Sequence, residues 1–338
     1  MTSRPTPKQQ GFSMPPEWAP HARTWMMWPC RAEVWDDMAA TRQNYADVAH
    51  AIRDFEALTM AVRPGDAAGA RNLLGSDVDL FEVALDDSWA RDAGPCFLTR
   101  ADGRLAGAAF GFNAWGGKYA PFDSDDAFAD AVLAEAGATP FTSPLIAEGG
   151  GISVDGEGTI LTTESCFPNA NRNPDWSRAA IETELCEMLG GETVIWLPGN
   201  ALETETDGHV DGIAAFVAPG VVLAESPEGM ESPWREIVQA NLDALSQAVD
   251  ARGRALEIVT IPEAYDAPSE CEMFCRSYVN SYLVNGAVVM PSYGNATDGQ
   301  AREIFQELFP GRRVAGVNID QIAIGGGGIH CITQQQPA

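Results

Sequence analysis

Basic residues are scarce in this sequence. Its 338 residues include 21 Lys and Arg against 48 Asp and Glu, which gives a formal net charge of −27. Proteins that bind nucleic acid or anionic membranes usually present a basic patch to the phosphate groups, so this balance argues against both partners. A small cationic ligand suits the charge better, although acidity also serves simply to keep a protein soluble.

Paired cysteines and histidines are few as well. The seven cysteines are an odd number without a regular spacing, and the chain has only four histidines. This pattern favours reduced thiols in the cytoplasm over a disulfide framework. Cys271 and Cys275 lie four residues apart in "CEMFC", but no second pair accompanies them, so we expect no metal site.

Long apolar segments are missing. The first residues, "MTSRPTPKQQGFSMPPEW", contain no apolar stretch of the kind that a secretory signal requires. No part of the chain approaches the roughly 20 apolar residues of a membrane-spanning helix. We therefore expect a cytoplasmic protein that does not contact a membrane.

Short apolar runs joined by turn residues are abundant. Four segments read as β-hairpins, with Asp-Gly, Pro-Gly or Asn-Gly at the turn: "CFLTRADGRLAGAAF", "GISVDGEGTILTT", "IAAFVAPGVVLAES" and "SYLVNGAVVMPSY". Amphipathic segments that read as helices alternate with them: "AEVWDDMAATRQNYADVAHAIRDF", "DDAFADAVLAEAG", "DWSRAAIETELCEMLGG", "SPWREIVQANLDALSQAVDARG" and "DGQAREIFQELF". The turn glycines recur every roughly 50 to 65 residues, a period that suits the blades of a radial α/β assembly. Because no linker interrupts the pattern, we expect residues 1–338 to form a single domain.

Two glycine-rich segments stand out, "EGGGISVDG" at 148–156 and "GGGGIHC" at 325–331. We expect both at the start of a strand, in equivalent positions of two modules, where the backbone passes close to a ligand or to a neighbouring blade. Glycines that only turn corners in a crowded core would explain the first segment equally well. In the second segment the adjoining Cys331 favours a functional explanation.

A cysteine nucleophile needs a base or a cation beside it, and "TETDGHVDG" supplies candidates. His209 and Asp211 are two residues apart, so on a strand they would face the same side, with Val210 directed into the core. In "DDSWARDAGP", Trp89 and Asp92 could hold a planar cation between an aromatic face and a carboxylate. A structural pair between Arg91 and a carboxylate is the alternative explanation of that second segment.

These motifs together resemble the agmatine deiminases, which are guanidine-modifying enzymes of the bacterial peptidylarginine deiminase type. The similarity runs in order from residue 11 to residue 337 through "GFSMPPEWAPHARTWMMWP", "DDSWARDAGP", "FGFNAWGGKY", "EGGGISVDGEGTILTTESC", "NRNP", "TDGHVDG", "SYLVNGAVVMPSYG" and "GGGGIHCITQQQP". It implies the pentein fold, a five-bladed pseudo-symmetric α/β propeller. It also implies hydrolysis of a guanidinium to a ureido group and ammonia without a cofactor.

The resemblance assigns roles to particular residues. Cys331 would be the nucleophile and His209 the general acid and base, oriented by Glu148. Asp92 and Asp211 would clamp the guanidinium, since two carboxylates can each take paired N–H bonds from its planar fork. The family often has asparagine at the positions of Asp207 and Gly212, a departure that bears on substrate preference and leaves the reaction class intact.

Further residues are expected to bind the substrate. We expect Trp89 and Gly328 to line the pocket. Agmatine ends in an amine, and Glu205, with Glu203 as second choice, is the acid that we expect to meet it; both could instead be solvated loop residues.

Other functions remain open at this stage. The chain could act on another guanidine such as peptidyl arginine, or transfer the amidino group to an amine as an amidinotransferase does. It could also be an inactive propeller that binds cationic ligands. The sequence is also compatible with a homo-oligomer.

Overall fold

Five small β-sheets form the framework of the computed structural model, which describes residues 5–264, 266–267, 269, 271 and 273–338. The strands are β1 (Phe12–Ser13), β2 (His21–Met27), β3 (Leu58–Val62), β4 (Asp79–Glu82), β5 (Cys96–Arg100), β6 (Leu105–Gly111), β7 (Thr139–Ile146), β8 (Ser153–Val154), β9 (Thr159–Thr163), β10 (Thr193–Leu197), β11 (Ala214–Ala218), β12 (Val221–Glu225), β13 (Glu257–Ile261), β14 (Tyr282–Val284), β15 (Ala287–Ser292), β16 (Arg313–Asn318) and β17 (Thr333–Pro337).

Helices connect the strands within the sheets or lie between one sheet and the next. They are α1 (Met38–Arg53), α2 (Ala67–Leu74), α3 (Ala90–Ala93), α4 (Ala114–Gly117), α5 (Asp123–Asp126), α6 (Phe128–Glu135), α7 (Arg178–Leu189), α8 (Trp234–Gln247), α9 (Thr297–Leu308) and α10 (Asp320–Ala323). Of these, α3 and α10 lie between one sheet and the next. The Asp37 side chain caps α1 and the Ser177 side chain caps α7, each by accepting backbone N–H bonds of the first turn. None of the helices in the described part of the chain is long and apolar enough to cross a bilayer.

Every sheet contains the same three-strand unit. An antiparallel pair is followed, after a helical crossover, by a strand parallel to the second one: β5-β6-β7, β8-β9-β10, β11-β12-β13, β14-β15-β16 and β17-β2-β3. Strand β1 adds to the first unit and β4 to the last. The expected five-bladed α/β propeller is therefore confirmed.

The four predicted hairpins are all present, and each turns on a glycine with positive φ. Gly103, Gly156, Gly220 and Gly286 have φ between 73° and 81°, a conformation that costs other residues strain. The fifth blade has no hairpin, because its antiparallel pair joins β17 near the end of the chain to β2 near its beginning.

Apolar side chains fill the space between sheets and helices. Strand β3 is buried at every residue, as expected for a strand in a parallel arrangement that is covered on both faces. Helix α1 buries Tyr45, Val48, Ala49 and Ile52 along one side. This packing leaves the loops that enter each blade as the places where polar side chains can gather.

Candidate active site

The candidate site residues share one position in the repeated unit. Each lies two to five residues before the first strand of its blade: Asp92 before β5, Glu148 before β8, Asp211 before β11, Asn280 before β14 and Cys331 before β17. His209 lies two residues before Asp211, in the same entry loop. The pseudo-symmetry therefore brings one chemical group from each of the five blades to a common centre.

Cys331 lies among polar atoms. Its Sγ is 3.6 Å from Oδ2 of Asp211 and 3.2 Å from Nδ2 of Asn280, and the Gly328 N–H points at the sulfur. Burial, followed by the negative charges of Asp211 and Asp92, raises the pKa of the thiol well above its ordinary value. The free site thus holds a protonated thiol, and a bound cation would favour the thiolate.

Asp92 is fixed by two hydrogen bonds. Its Oδ1 accepts the Gly150 N–H at 2.9 Å and its Oδ2 accepts the Trp115 indole N–H at 3.0 Å. Burial is the main cause that raises the pKa of Asp92, and the nearby carboxylates add to it, while His209 opposes it. A guanidinium placed here would compensate the buried negative charge of Asp92.

His209 lies between two carboxylates. Its Nδ1 is 3.7 Å from Asp92 Oδ1, and its Nε2 is 3.6 Å from Glu148 Oε2. Burial by itself would lower the pKa of His209, but the surrounding acidic groups, Asp92 first, raise it well above the ordinary value. The position between two carboxylates thus favours the imidazolium form of His209, which can give up a proton.

Glu148 is anchored by a residue to which the motifs alone gave no role. Arg172, in the "NRNP" motif, donates from Nε to Glu148 Oε1 at 2.9 Å. Burial raises the pKa of Glu148, but nearby His209 and the Arg172 charge outweigh it and hold that pKa below the ordinary value. Arg172 also donates to Asp207, which receives a further bond from Lys118 Nζ at 2.8 Å.

Arg172 and Lys118 compensate the charge of Asp207. The side chain therefore belongs to an ion-pair network that runs from buried Glu148 through Arg172 and half-buried Asp207 to the exposed Lys118. Glu148, Cys166 and His209 also bring ligand-type atoms within 4.8 Å of one another. The expectation that the protein needs no metal remains a prediction.

A cavity of about 390 Å³ opens beside Cys331. It is lined by Val34, Asp87, Trp89, Asp92, Trp115, Tyr119, Glu205, Thr206, Gly325, Gly326, Gly327 and Cys331. Burial raises the pKa of Asp87 to about 7, with Asp125 adding to the effect. The walls are thus aromatic and acidic, which suits a cation with an extended apolar part.

The glycine run lines this cavity because side chains would not fit. A Cβ on Gly325 would lie 2.3 Å from the Trp35 ring, and one on Gly327 would lie 2.3 Å from the Trp89 ring. Trp89 itself packs at 5.7 Å from Trp35 and 6.4 Å from Trp115 between ring centroids. The close approach that was expected of this backbone is therefore to two tryptophans, Trp89 in the cavity wall and Trp35 behind it.

Two expectations need correction. His209 and Asp211 are not on a strand: residues Val210–Gly212 form a single 3₁₀ turn, and β11 begins only at Ala214. The turn closes through the Ile213 N–H and Val210 C=O, so neighbouring polar side chains can face the centre while Val210 is buried. Gly328 and Asp211, both expected to bind the substrate, are not among the residues that line the cavity: Asp211 lines a neighbouring recess with its Oδ2 3.6 Å from Cys331 Sγ, and a Cβ on Gly328 would lie 2.5 Å from Asn280 Oδ1.

The sequence-based interpretation missed Asn280, Arg172, Trp115 and Tyr119 as site residues. Arg172, Trp115 and Tyr119 lie inside motifs that carried the family resemblance, and Asn280 directly precedes one, but no spacing in the sequence pointed to a role. Only the repeated position before the first strand of a blade could have indicated Asn280.

Comparison with known proteins gives a consistent result. Residues 13–337 match the family described as Porphyromonas-type peptidyl-arginine deiminase. The agmatine deiminase of Stutzerimonas stutzeri is 42% identical, over 98% of this chain and 97% of that protein. The structure of an agmatine deiminase of Enterococcus faecalis superposes with a TM-score of 0.96 at 35% identity, over 99% of this chain and 98% of that one.

A more distant structure shares the fold. DDAH from Pseudomonas aeruginosa superposes with a TM-score of 0.52 at 15% identity, over 94% of this chain and 99% of that chain. The propeller architecture thus extends to proteins of low sequence similarity.

Proposed function

The chain belongs to the Porphyromonas-type peptidyl-arginine deiminase family, and on this basis we propose that it hydrolyses agmatine to N-carbamoylputrescine and ammonia. One observation carries the choice of substrate: the cavity that contains Cys331 and Asp92 is also lined by Glu205. A guanidinium at the thiol and an amine at a second acid are the two ends of agmatine. The relatives named agmatine deiminase support the same choice.

Substrate binding positions the guanidinium carbon against the thiol. Asp92 and Asp211 accept the N–H groups of its planar fork, and their charges compensate the cation in a buried place. The free thiol has a raised pKa, and the positive charge of the bound guanidinium lowers it again, so Cys331 loses its proton to solvent. The thiolate then attacks the central carbon to form a tetrahedral adduct.

His209 transfers the protons of both half-reactions. As an imidazolium it protonates the nitrogen that leaves as ammonia, so a thiouronium joined to Cys331 remains and His209 becomes neutral. Neutral His209 then takes a proton from water, whose oxygen attacks the thiouronium carbon. Collapse of this second adduct breaks the C–S bond, and the hydroxyl proton passes to the departing sulfur, which releases the ureido product and restores the Cys331 thiol and the His209 imidazolium.

The arrangement also bears on domain organisation and compartment. We propose that residues 1–338 act as one catalytic domain, because all five blades contribute groups to one centre. The seven cysteines are unpaired, which supports a reducing compartment such as the cytoplasm. Neither proposal depends on the choice of guanidine.

A panel of guanidines tests the substrate. We expect ammonia and ureido product from agmatine with a kcat/KM at least about a hundredfold above that for free arginine, because a carboxylate near Glu205 replaces a charge-assisted hydrogen bond with repulsion. A peptidyl-arginine substrate and an amine acceptor complete the panel. Arginine or a peptide turned over as well as agmatine, or amidino transfer to the amine, would refute the assignment.

The Cys331→Ser variant tests the nucleophile. A serine hydroxyl is hardly ionised where a thiol can be, so we expect kcat to fall by at least about a thousandfold while circular dichroism stays unchanged. EDTA treatment and dialysis of the wild type serve as the companion measurement and should leave its rate unaltered. Substantial turnover by the serine variant removes Cys331 from the mechanism, and activity lost to chelation and restored by a metal removes the metal-free mechanism.

A further inference from the structure

His330, directly before the nucleophile, is bonded to a carboxylate on each ring nitrogen. Its Nδ1 lies 2.7 Å from Asp211 Oδ2, and its Nε2 lies 2.9 Å from Glu17 Oε2. An ionised carboxylate only accepts hydrogen bonds, so both ring nitrogens must donate. The geometry therefore describes an imidazolium between two acids.

Glu17 is held in place from several sides. Its Oε1 accepts the Leu283 N–H at 2.7 Å, and its backbone C=O lies 2.7 Å from Nε2 of His21. Glu17 belongs to "MPPEW", a segment between β1 and β2 that carried part of the family resemblance without receiving a role.

Glu17 does not line the cavity that contains Cys331. With Arg91, Asp211 and His330 it lines a separate recess of about 650 Å³. Asp211 also lines this recess, and its Oδ2 lies 3.6 Å from Cys331 Sγ, so Glu17 reaches that carboxylate beside the nucleophile through His330.

We propose that Glu17 is a positioning residue for the deiminase reaction: by keeping His330 an imidazolium, it fixes Asp211 and compensates its charge beside the Cys331 thiol. This inference rests on the proposed function, since Asp211 matters as the guanidinium clamp next to the nucleophile. Glu17 itself touches neither the thiol nor the space for the substrate.

The charges around Glu17 and His330 favour the charged form of both side chains. Burial and Arg91 lower the pKa of His330, but Glu17 and Asp211 outweigh them and raise it. Burial would raise the pKa of Glu17, yet chiefly His330 holds it at about 2. The charged groups that face the pair are Asp211 from the 3₁₀ turn, Arg91 from α3 and, on the Glu17 side, Arg312.

The protonation state of His330 affects Cys331 through Asp211. Oδ2 of Asp211 lies 2.7 Å from His330 Nδ1 and 3.6 Å from Cys331 Sγ, and the negative charge of Asp211 raises the pKa of the thiol. A proton on His330 offsets this effect. Its loss would leave the charge of Asp211 uncompensated and make the thiolate harder to form.

The Glu17→Gln substitution isolates this effect with little change in shape. The amide oxygen can still accept the Leu283 N–H, and the amide NH₂ then faces His330 Nε2. That nitrogen must become an acceptor, which favours neutral His330 with its proton on Nδ1. Glu56→Gln is the matched control, because Glu56 pairs with His21 Nδ1 at 3.1 Å and accepts the Asn285 N–H at 2.7 Å but bonds to none of the active-site residues in the described chain.

The test measures the rate of Cys331 alkylation by iodoacetamide against pH, with the Cys331 peptide quantified by mass spectrometry. In Glu17→Gln we expect the profile to move about 1 pH unit upward, so that alkylation at a fixed pH below the thiol pKa is about tenfold slower. The agmatine kcat/KM profile should move in the same direction. Glu56→Gln should follow the wild-type profile even where its melting temperature falls.

The outcomes separate the two proposals. Coincident profiles for Glu17→Gln and wild type, with a lowered melting temperature, would make Glu17 a structural residue and overturn the inference. A wild type that does not turn over agmatine refutes the proposed function, while the substrate-free alkylation still decides the role of Glu17.

A double-variant comparison keeps the inference testable if the amide variant is unstable. Glu17→Asp retains the charge but shortens its reach, so its profile should lie between those of wild type and His330→Gln. In the His330→Gln background, Glu17→Asp should add no further shift. A full additional shift there would mean that Glu17 acts without His330, and the inference would fail.

Discussion

At the scale of single residues, two glutamates that looked interchangeable in the sequence have different surroundings. The Glu203 carboxylate already accepts hydrogen bonds within its own loop, from the N–H groups of Thr206 and Gly208 at 3.1 and 3.0 Å. Glu205 lines the cavity and receives the Tyr119 hydroxyl at 2.6 Å. Of the two candidates for binding the agmatine amine, only Glu205 is available to a ligand.

Replacing Glu205 by glutamine should therefore separate substrates by their charge. The amide keeps a hydrogen bond to Tyr119 but loses the charge-assisted bond to an ammonium group, which is worth about 1.5 to 3 kcal/mol. We expect kcat/KM for agmatine to fall by roughly 10- to 100-fold and that for butylguanidine to change little. Steady-state kinetics on both substrates check this, and equal losses would show that Glu205 does not bind the amine.

At the scale of elements, the loop before the first strand of each blade is the functional unit. The turn Gly149–Gly151 illustrates its constraints, because a Cβ on Gly150 would lie 2.5 Å from His209 Nδ1 and 2.7 Å from Asp92 Oδ1. The backbone passes so close to two site residues that only glycine leaves their positions undisturbed.

The Gly150→Ala variant tests this constraint. The added methyl displaces His209 and Asp92 without straining a left-handed backbone, so we expect kcat/KM to fall at least about tenfold while the fold remains. Gly299→Ala in α9, where the methyl has open space, is the control and should raise stability by about 0.5 to 1 kcal/mol without a kinetic effect. Kinetics and thermal melts of both variants decide the matter, and a fully active Gly150→Ala would show that the turn tolerates a side chain.

Elements differ in how well the sequence predicts them. The hairpin turns carry Gly with Asp, Pro or Asn, and the five predicted helical segments carry an apolar periodicity, so these were predicted where they occur, whereas the shorter helix α2 was not predicted. His209 and Asp211 were expected on a strand because alternation of polar and apolar residues over three positions also fits a 3₁₀ turn. The roles of Asn280 and Arg172 were not predicted, because a hydrogen bond to a thiol or to a carboxylate leaves no periodic pattern in the sequence.

At the scale of the whole molecule, the propeller closes by pairing two strands that are far apart in the sequence, β17 and β2. In the antiparallel pair of β17 and β2, Thr333 lies opposite Met26 and Gln334 lies opposite Trp25. This pairing positions Cys331, which lies two residues before β17, against residues contributed by all other blades. Neither strand forms a local hairpin, so the period of turn glycines alone could show four blades, and the family resemblance supplied the fifth.

The net charge of −27 on the whole molecule should also affect the rate at which the substrate is captured. Agmatine bears two positive charges at neutral pH and butylguanidine bears one, so a long-range negative potential should attract agmatine more strongly. Salt screens such fields over about 10 Å at 0.1 M ionic strength. We expect kcat/KM for agmatine to fall several-fold between roughly 10 and 500 mM KCl, and that for butylguanidine to fall about half as steeply on a logarithmic scale.

Measurement at constant pH with both substrates separates this long-range effect from local contacts. In the Glu205→Gln variant the agmatine rate should start lower yet keep most of its salt dependence, because a single cavity charge is removed from a total of 48 acidic residues. Equal salt slopes for the mono- and dication, or a slope that disappears with Glu205, would assign the attraction to the cavity alone. The acidity of the remaining surface would then have no part in substrate binding.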